Sequence, residues 1–521
     1  MKSALIVNAT AGSGKTTTIV NGLHIASKVM KASDLPFTPS HEQQEIWSWI
    51  GKRITPQSDV IVCAFNNAIA DELKERLKFG TATTIHSLGC RVLRENGIKL
   101  GRPDNFKTAN LYQQFCGVKM MKELSKVQLS ILDDVKELVK LCKDNVVTEE
   151  EIDIDLLEAL ALDAEYSFTS SAEACIDAVK HVITEGSILA PQTANVKHTA
   201  FSKAKPVKGI TLDFDDMIYL PARYGFSIKA DCILVDEAQD LSYGKLKLIT
   251  NQDCSTFVFV GDPNQAIFAF AGAQTDSFDK IKESMDVVDT LPLSYTYRCG
   301  KRIVEEAQKI VGDAINAGDT NPEGVVDSIE EAAMQLVEGD MLVSRVNAPL
   351  MKIAWRLVKE KKHCTVVGRS IGAGLVKLIN KLTKKQNVDV IELCQLVEEW
   401  REHQVKLLQM KRYNTEARQI AVNDQADCIV TLADECKTSD DLLNFVRQIF
   451  NDKERGTIRL SSIHRAKGLE ASTVYFFNPK NVPHFMAKTK EAIKQEYNLK
   501  FVAITRAIDK LVYVMIPEKE K

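Results

Sequence analysis

Apolar positions along the chain follow two kinds of pattern. Short continuous runs, Ala4 to Val7, Val60 to Cys63, Cys232 to Val235, Thr256 to Val260, Met341 to Val343, Thr473 to Phe477 and Leu511 to Met515, end in turn or helix-start chemistry. Runs this short and uninterrupted read as strands covered on both faces, as in parallel sheets. Between them the spacing shifts to a helical period, as in Ile69, Leu73 and Leu77 at i, i+4 and i+8 after Asn67. Alternation of the two types predicts an α/β fold. The strands cluster in two blocks, each interrupted by a mainly helical stretch. The expected layout is a first core from residues 1–89 and 206–290 with a helical insertion at 90–205, and a second core from 291–370 and 456–521 with a smaller helical insertion at 371–455.

Composition narrows the class. A chain of 521 residues, 45% hydrophobic and 26% charged, allows about three to four domains, each with its own core, and excludes bulk disorder. Lys+Arg of 67 against Asp+Glu of 70 leaves a formal charge of −3, so the molecule as a whole does not attract polyanions and any nucleic-acid contact belongs to a local groove. The twelve cysteines form no CxxC pair, which argues against zinc clusters and a thioredoxin-like site and for reduced thiols. The apolar run at the start is too short for a signal sequence, and no run reaches the ~20 residues of a membrane span. A soluble, cytoplasmic protein without a membrane partner is expected.

Charge is uneven in places. Eight acids between Glu149 and Glu165 read as a solvated face. Lys197, Lys203, Lys205 and Lys208 lie in a stretch without acids that fits either a phosphate-tracking segment or a flexible linker. Lys377, Lys381, Lys384 and Lys385 are expected on one helix face.

The first apolar run leads directly into ATAGSGKT, Ala9 to Thr16, a Walker A phosphate loop with Ala in place of the first Gly. Gly12 and Gly14 let the backbone curl so that successive N–H groups point at a phosphate, and the helix that follows adds its positive end. Lys15 is expected to bridge the β- and γ-phosphates of ATP and the Thr16 hydroxyl to ligate Mg2+. The nucleotide-binding run is therefore Ala11, Gly12, Ser13, Gly14, Lys15, Thr16 and Thr17. CILVDEAQD supplies the strand-end acids: Asp236 to hold Mg2+ through water, Glu237 to act as general base towards the attacking water. That pair predicts hydrolysis as well as binding.

Further segments follow in a telling order: VCAFNNAIADEL (62–73), TTIHSLG (83–89), DFDDMI (213–218), VGDPNQAIFAFAGA (260–273), LSYTYRC (293–299), LVSRVNAP (342–349), SSIHRAKGLEAS (461–472) and FVAITRA (501–507). With the Walker A loop and DEAQD they resemble the motif series of superfamily 1 helicases of the UvrD/Rep/PcrA type, from Ala9 to Ala507. The resemblance implies two RecA-like P-loop cores with parallel sheets, each carrying a mainly helical insertion. It also implies a catalytic set of Lys15, Asp236, Glu237, the γ-phosphate-sensing Gln265 and the arginine fingers Arg298 and Arg506. Tyr297 matches a residue that stacks on adenine and Glu470 one that contacts the nucleotide sugar. Phe65, Phe268 and Phe270 match aromatic platforms for bases, and Asn67, Thr84, His86 and His464 match polar contacts to the strand or to coupling loops. Stacking tolerates any base, which suits a motor on arbitrary DNA. Core packing is the alternative to that strand-contacting role for the phenylalanines.

Several positions depart from the family pattern. A Gln-containing motif normally precedes Walker A, whereas the first strand here starts at Met1; TPSHEQQEIW, with Gln43 and Gln44, lies downstream instead. Thr17 stands where relatives often have Arg, and Phe270-Ala271 where they usually have Trp-Arg. The second insertion, about 85 residues, is much smaller than the family's autoregulatory subdomain, and with 14 residues after Ala507 a helicase–nuclease is not the expected reading. The resulting expectation is an ATP-dependent DNA helicase translocating 3′→5′ on single-stranded DNA. Its expected partners are single-stranded DNA, ss/ds DNA junctions and accessory replication or repair proteins. The alternatives are a translocase that strips proteins from the strand with little unwinding, and a non-motor, ATP-gated nucleic-acid binding module; an RNA track also stays open.

Overall fold

The continuous apolar runs become strands because every position in them is covered: Val60–Ala64 and Cys232–Val235 are buried throughout. The computed structural model describes residues 1–163, 170–189, 210–267, 277–409, 416–433, 435–450 and 458–516. By contacts the chain forms two units. Met1–Ala9, Lys15–Pro263 and Phe268–Leu293 make up the first, and Thr10–Gly14, Asn264–Ile267 and Ser294–Lys521 the second.

In the first unit β1 (Ser3–Ala9), β2 (Val60–Ala64), β3 (Thr81–Thr84), β4 (Cys232–Val235), β5 (Thr256–Gly261) and β6 (Val287–Leu293) form one sheet in the order β3-β2-β4-β5-β1-β6. Every pair is parallel. Parallel neighbours need long crossovers, which are supplied mainly by helices. These are α1 (Lys15–Ala26), α2 (His41–Gly51), α3 (Asn67–Arg76), α4 (Ile85–Glu95), α9 (Asp216–Tyr224), α10 (Tyr243–Thr250) and α11 (Ser277–Glu283), while α5 (Lys107–Phe115), α6 (Lys126–Asp144), α7 (Ile154–Asp163) and α8 (Ala172–Gly186) stand between β3 and β4 in the chain. Ser40, Asn66, Thr84, Ser125 and Ser171 start their helices by accepting a backbone N–H three residues on, each cap contributing about 1 kcal/mol. Phe257 and Phe259 lie fully buried in the core, and burying each contributes about 1.5–3 kcal/mol.

Four buried charges fasten α9 to the helices before it. Lys107 Nζ reaches Asp216 at 2.6 Å, and Lys143 Nζ reaches Asp213 at 2.5 Å and Asp216 at 2.8 Å. Lys107 also donates to the Gly186 carbonyl at 2.6 Å. Burial disfavours the ionised Asp216, but the two lysines outweigh it and hold its carboxyl below the usual range. At Gly89 a Cβ would lie 1.7 Å from the Met217 carbonyl oxygen, so only glycine lets α4 approach α9 so closely.

In the second unit β7 (Tyr295–Thr296) pairs with β8 (Asn316–Ala317), and β9 (Val325–Glu330), β10 (Met341–Ser344), β11 (Cys364–Val366), β12 (Ile458–Ser462), β13 (Ala471–Phe477) and β14 (Ala507–Met515) form a second sheet in the order β11-β12-β10-β13-β14-β9. It too is parallel throughout. Its helices are α12 (Lys301–Val311), α13 (Ala348–Lys359), α14 (Arg369–Leu382), α15 (Val390–Gln409), α16 (Glu416–Ala433), α17 (Ser439–Ile449), α18 (Ile463–Ala466) and α19 (Lys490–Ile504), with α14 to α17 standing between β11 and β12. Asp424 of α16 accepts from the N–H groups of Asn347 at 2.7 Å and Ala348 at 2.9 Å, capping α13 from outside its own sequence.

Each of the seven apolar runs falls within a strand, and the α/β class holds in both units. The structure corrects two charge readings. Lys377 and Lys381 lie on α14, but Lys384 and Lys385 follow its end in left-handed backbone at φ 51° and 64°, off the helix face. Glu149 is not part of a freely solvated face: its carboxylate pairs with Arg223, which also donates to Tyr219 Oη at 2.6 Å. Lys197, Lys203, Lys205 and Lys208 lie outside the described residues. Among the described residues no helix is long and apolar enough to cross a membrane.

Candidate functional site

Strand β1 delivers the chain to the phosphate loop, where Gly12 and Gly14 take φ of +70° and +72°, left-handed values that a side chain would strain. In the first unit four predicted residues converge. Lys15 Nζ lies 3.0 Å from both Glu237 oxygens, and Thr16 Oγ1 donates to Asp236 Oδ2 at 3.3 Å. Asp236 receives its position from the end of β4, its N–H bonding the Cys63 carbonyl at 3.0 Å. The next residue, Glu237, sits at φ 54°, an uncommon conformation for a residue with a side chain and a place where backbone strain is stored.

Electrostatics in this cluster are mutually dependent. Burial works against the Lys15 ammonium, but Glu237, Asp236 and Asp262 more than compensate and raise its pKa. Burial and the neighbouring Glu237 push Asp236 upward, against the pull of Lys15, the Glu237 N–H and Thr16. A desolvated carboxylate beside a hydroxyl is an oxygen donor set that fits Mg2+, which takes one or two protein oxygens and completes its shell with phosphate and water. Among the described residues no group of three or more His, Cys, Asp or Glu side chains is arranged to hold a metal ion by itself.

Sequence reasoning missed two residues here. Gln239, 1% exposed, donates to Glu237 Oε2 at 2.6 Å while its own Oε1 accepts the Asp262 N–H at 3.0 Å, so one side chain ties the base candidate to the end of β5. Arg76 of α3 donates to Thr17 Oγ1 at 2.9 Å and pairs with Glu72 at 2.8 Å, bringing a guanidinium to the position where the family pattern has its own arginine. Gln43 serves packing: it caps α2 through the Ser40 N–H and donates to Thr18 Oγ1 at 3.0 Å.

In the second unit Arg298 Nε pairs with Glu470 Oε2 at 2.7 Å, so two predicted nucleotide-site residues meet each other. Arg506 is 1% exposed, its guanidinium donating to the carbonyls of Val502 at 3.1 Å and Leu469 at 3.2 Å and to Gln265 Oε1 at 3.3 Å. Tyr297 is exposed. Burial, then Arg345 and Arg465, drive His464 down to about 3, so its imidazole is neutral at ordinary pH.

Back in the first unit a cavity of about 330 Å3 is lined by Phe65, His86, Phe214, Asp215, Lys143 and Lys245, among others. His86 stacks on Phe214 with centroids 3.8 Å apart, and burial, followed by Lys245, lowers its pKa to about 4. Phe214, 55% exposed, was not singled out from sequence although its DFDD setting was; the flanking acids Asp213 and Asp216 are the anchored pair that leaves the phenyl ring outward. Asn67 is exposed at the start of α3, while Thr84 uses its hydroxyl to cap α4, accepting the Ser87 N–H at 3.2 Å. Phe268 and Phe270 lie outside the described residues.

A family model described as the UvrD/REP helicase N-terminal domain matches residues 1–286, more than half of the chain. The chain belongs to the UvrD/Rep helicase family. A second model, the UvrD-like helicase C-terminal domain, matches residues 457–514 of this UvrD/Rep-type chain. Each unit carries one all-parallel sheet, which agrees with the RecA-like cores of that family. Curated relatives include the ATP-dependent DNA helicase Rep of Buchnera aphidicola subsp. Baizongia pistaciae, 22% identical over 332 residues, which cover 60% of this chain and 41% of the relative. The probable DNA helicase II homolog of Mycoplasma pneumoniae is 25% identical over 345 residues, 62% of this chain and 42% of that one. Rep of Escherichia coli K12 is 23% identical over 275 residues, 49% of this chain and 36% of Rep. The UvrD/Rep-type chain thus spans about two-fifths of the length of the relatives it matches. A solved complex of arterivirus nonstructural protein 10 (helicase) with DNA overlaps 98% of this chain and 60% of its own at 10% identity and a TM-score of 0.32, a likeness too slight to carry an argument.

Proposed function

We propose that this chain is an ATP-driven DNA helicase that translocates 3′→5′ on single-stranded DNA and opens duplex at ss/ds junctions. The convergence of Lys15, Thr16, Asp236 and Glu237 in a UvrD/Rep-family chain carries the reading. The phosphate loop and Lys15 hold the ATP phosphates; their negative charge competes with Glu237 for the Lys15 ammonium and releases the carboxylate to take a proton from the attacking water. Gln239 keeps that carboxylate aimed. Mg2+ on Thr16 and Asp236, when bound, neutralises phosphate charge. Arg298 and Arg506 supply the cationic charge that the γ-phosphoryl group develops against, and Gln265, bonded to Arg506, reports its loss. Tyr297 and Glu470 serve the base and sugar ends of the nucleotide. Phe65, Phe214 and His86 form the part of the strand path in the first core, with stacking that reads no sequence. The layout proposed is the two cores at 1–89 with 206–290 and at 291–370 with 456–521, each with its helical insertion, acting in the cytoplasm with replication or repair partners.

The test is ATP hydrolysis by the purified chain with no strand, with single-stranded DNA and with matched RNA, using Glu237→Gln as the blank. Strong stimulation by DNA, lost in the variant, is expected; duplexes tailed at 3′ or 5′ then read the direction. A rate indifferent to either strand would overturn the motor, and stimulation by RNA alone would change its track.

A further inference from the structure

Lys245 lies on α10, the helix that follows the Asp236–Glu237 turn, and belongs to no motif matched in the sequence. Its Nζ stands 4.9 Å from the centroid of Phe65, and both residues line the cavity that also holds Phe214 and His86. An aromatic base stacked on a ring also needs centroids about 4.5–7 Å apart, so a base and the ammonium cannot share the cavity side of Phe65. A base stacked on the ring competes with the cation–π contact for the same surface, and once seated there it displaces the lysine. The other cavity cations are committed: Lys143 is held by Asp213 and Asp216, and Lys140 pairs with Glu137 at 3.1 Å. Among the described residues Lys245 has no carboxylate within ion-pair distance, although Asp144, Asp215 and Asp240 line the same cavity. A polyanion laid beside three acids needs a cation at hand.

We propose that Lys245 is a phosphate-contacting residue of the strand groove: with the groove empty its ammonium rests on Phe65, and with a base on that ring it moves to a backbone phosphate of the strand. The inference rests on the strand-binding reading above. Burial also disfavours the ammonium where it rests, more than Asp144, Asp240 and Asp215 make up for, which favours its transfer to a phosphate. Because α10 continues directly from the DEAQD turn, one short segment then touches both the phosphate site and the strand.

Binding of a labelled oligothymidylate to the full chain, titrated with NaCl, tests this. Each phosphate contact on a single strand contributes about 0.7 to the slope of log K against log salt concentration. Lys245→Met is expected to bind more weakly with a slope reduced by about 0.7, and Lys245→Arg to keep the wild-type slope. An unchanged slope in Lys245→Met overturns the proposal, including the case of tighter binding, which would make the lysine only an occupant of the ring. If the Met variant does not fold, Lys245→Gln carries the same comparison. A wild-type chain that binds the oligonucleotide without salt dependence overturns the strand reading itself, which separates the two failures.

Discussion

At the residue scale the candidate phosphate site shows how far local chemistry carries. Lys15, Thr16, Asp236 and Glu237 were named from spacing and strand context, because a phosphate loop and a strand-end acid each have a local signature. Gln239 had none: its importance is a bond to Glu237 and another to the Asp262 N–H, made by a side chain that sequence shows only as a polar residue in DEAQD. Gln239→Ala is expected to lower kcat for ATP by about 10- to 10²-fold with little change in KM, because the base loses its aim and the phosphates keep their cradle. Steady-state kinetics decide it; a matching rise in KM would assign Gln239 to nucleotide binding. Asp215 makes a prediction about pH. Burial and Asp213 raise its carboxyl to about 6 from an ordinary value of 3.8. Between those values the folded chain holds a proton that the unfolded chain has released, so stability falls as pH rises through this window and the loss is complete above it. Asp215→Asn should therefore stabilise the protein at pH 8, by up to about 3 kcal/mol, and not at pH 4. Thermal unfolding at the two pH values measures this, and equal effects at both would sink it.

At the element scale the strands escaping the sequence reading are mostly edges. β3 and β6 bound the first sheet and β9 and β11 the second, and none was among the apolar runs. An edge strand is half exposed, so TATT and VVDSIE lose the continuous apolar signature on which a buried strand is read. β12 is internal but ends in Ser461 and Ser462, whose burial no hydrophobic pattern announces. The DFDD turn was legible as a motif, but its physical role was not. Asp213 and Asp216 are spaced to receive lysines from α5 and α6, which are far away in sequence. Removing one partner from a buried ion network leaves an uncompensated charge, so Lys143→Met is expected to cost about 3–5 kcal/mol. Urea unfolding measures it; a loss under about 1 kcal/mol would mean that water or Lys107 takes over the pairing.

At the scale of the whole molecule each sheet is assembled from segments on both sides of a helical insertion. β1 lies between β5 and β6, and both of these follow the insertion in the chain. A fragment ending at residue 231 keeps only the β2–β3 pair and leaves β1 without either neighbour, so it is expected not to fold cooperatively, whereas one ending at 293 has all six strands and is expected to fold; circular dichroism and amide exchange on the two fragments check this. A cooperative transition in the shorter fragment would mean that the helices carry the fold. The sequence by itself determined the α/β class, the two blocks of strands, the glycine turn after β1, the acids that follow β4, and the family, because each is written in neighbouring residues whose spacing mirrors a local geometry. Only the tertiary structure decided the strand order, the edges, the lysines behind the DFDD turn, the guanidinium of Arg76 at Thr17 and the ammonium of Lys245 over Phe65. These are pairings across long stretches of chain, which leave no trace in a pattern of neighbours; burial is what makes the lysine–aspartate network among them strong.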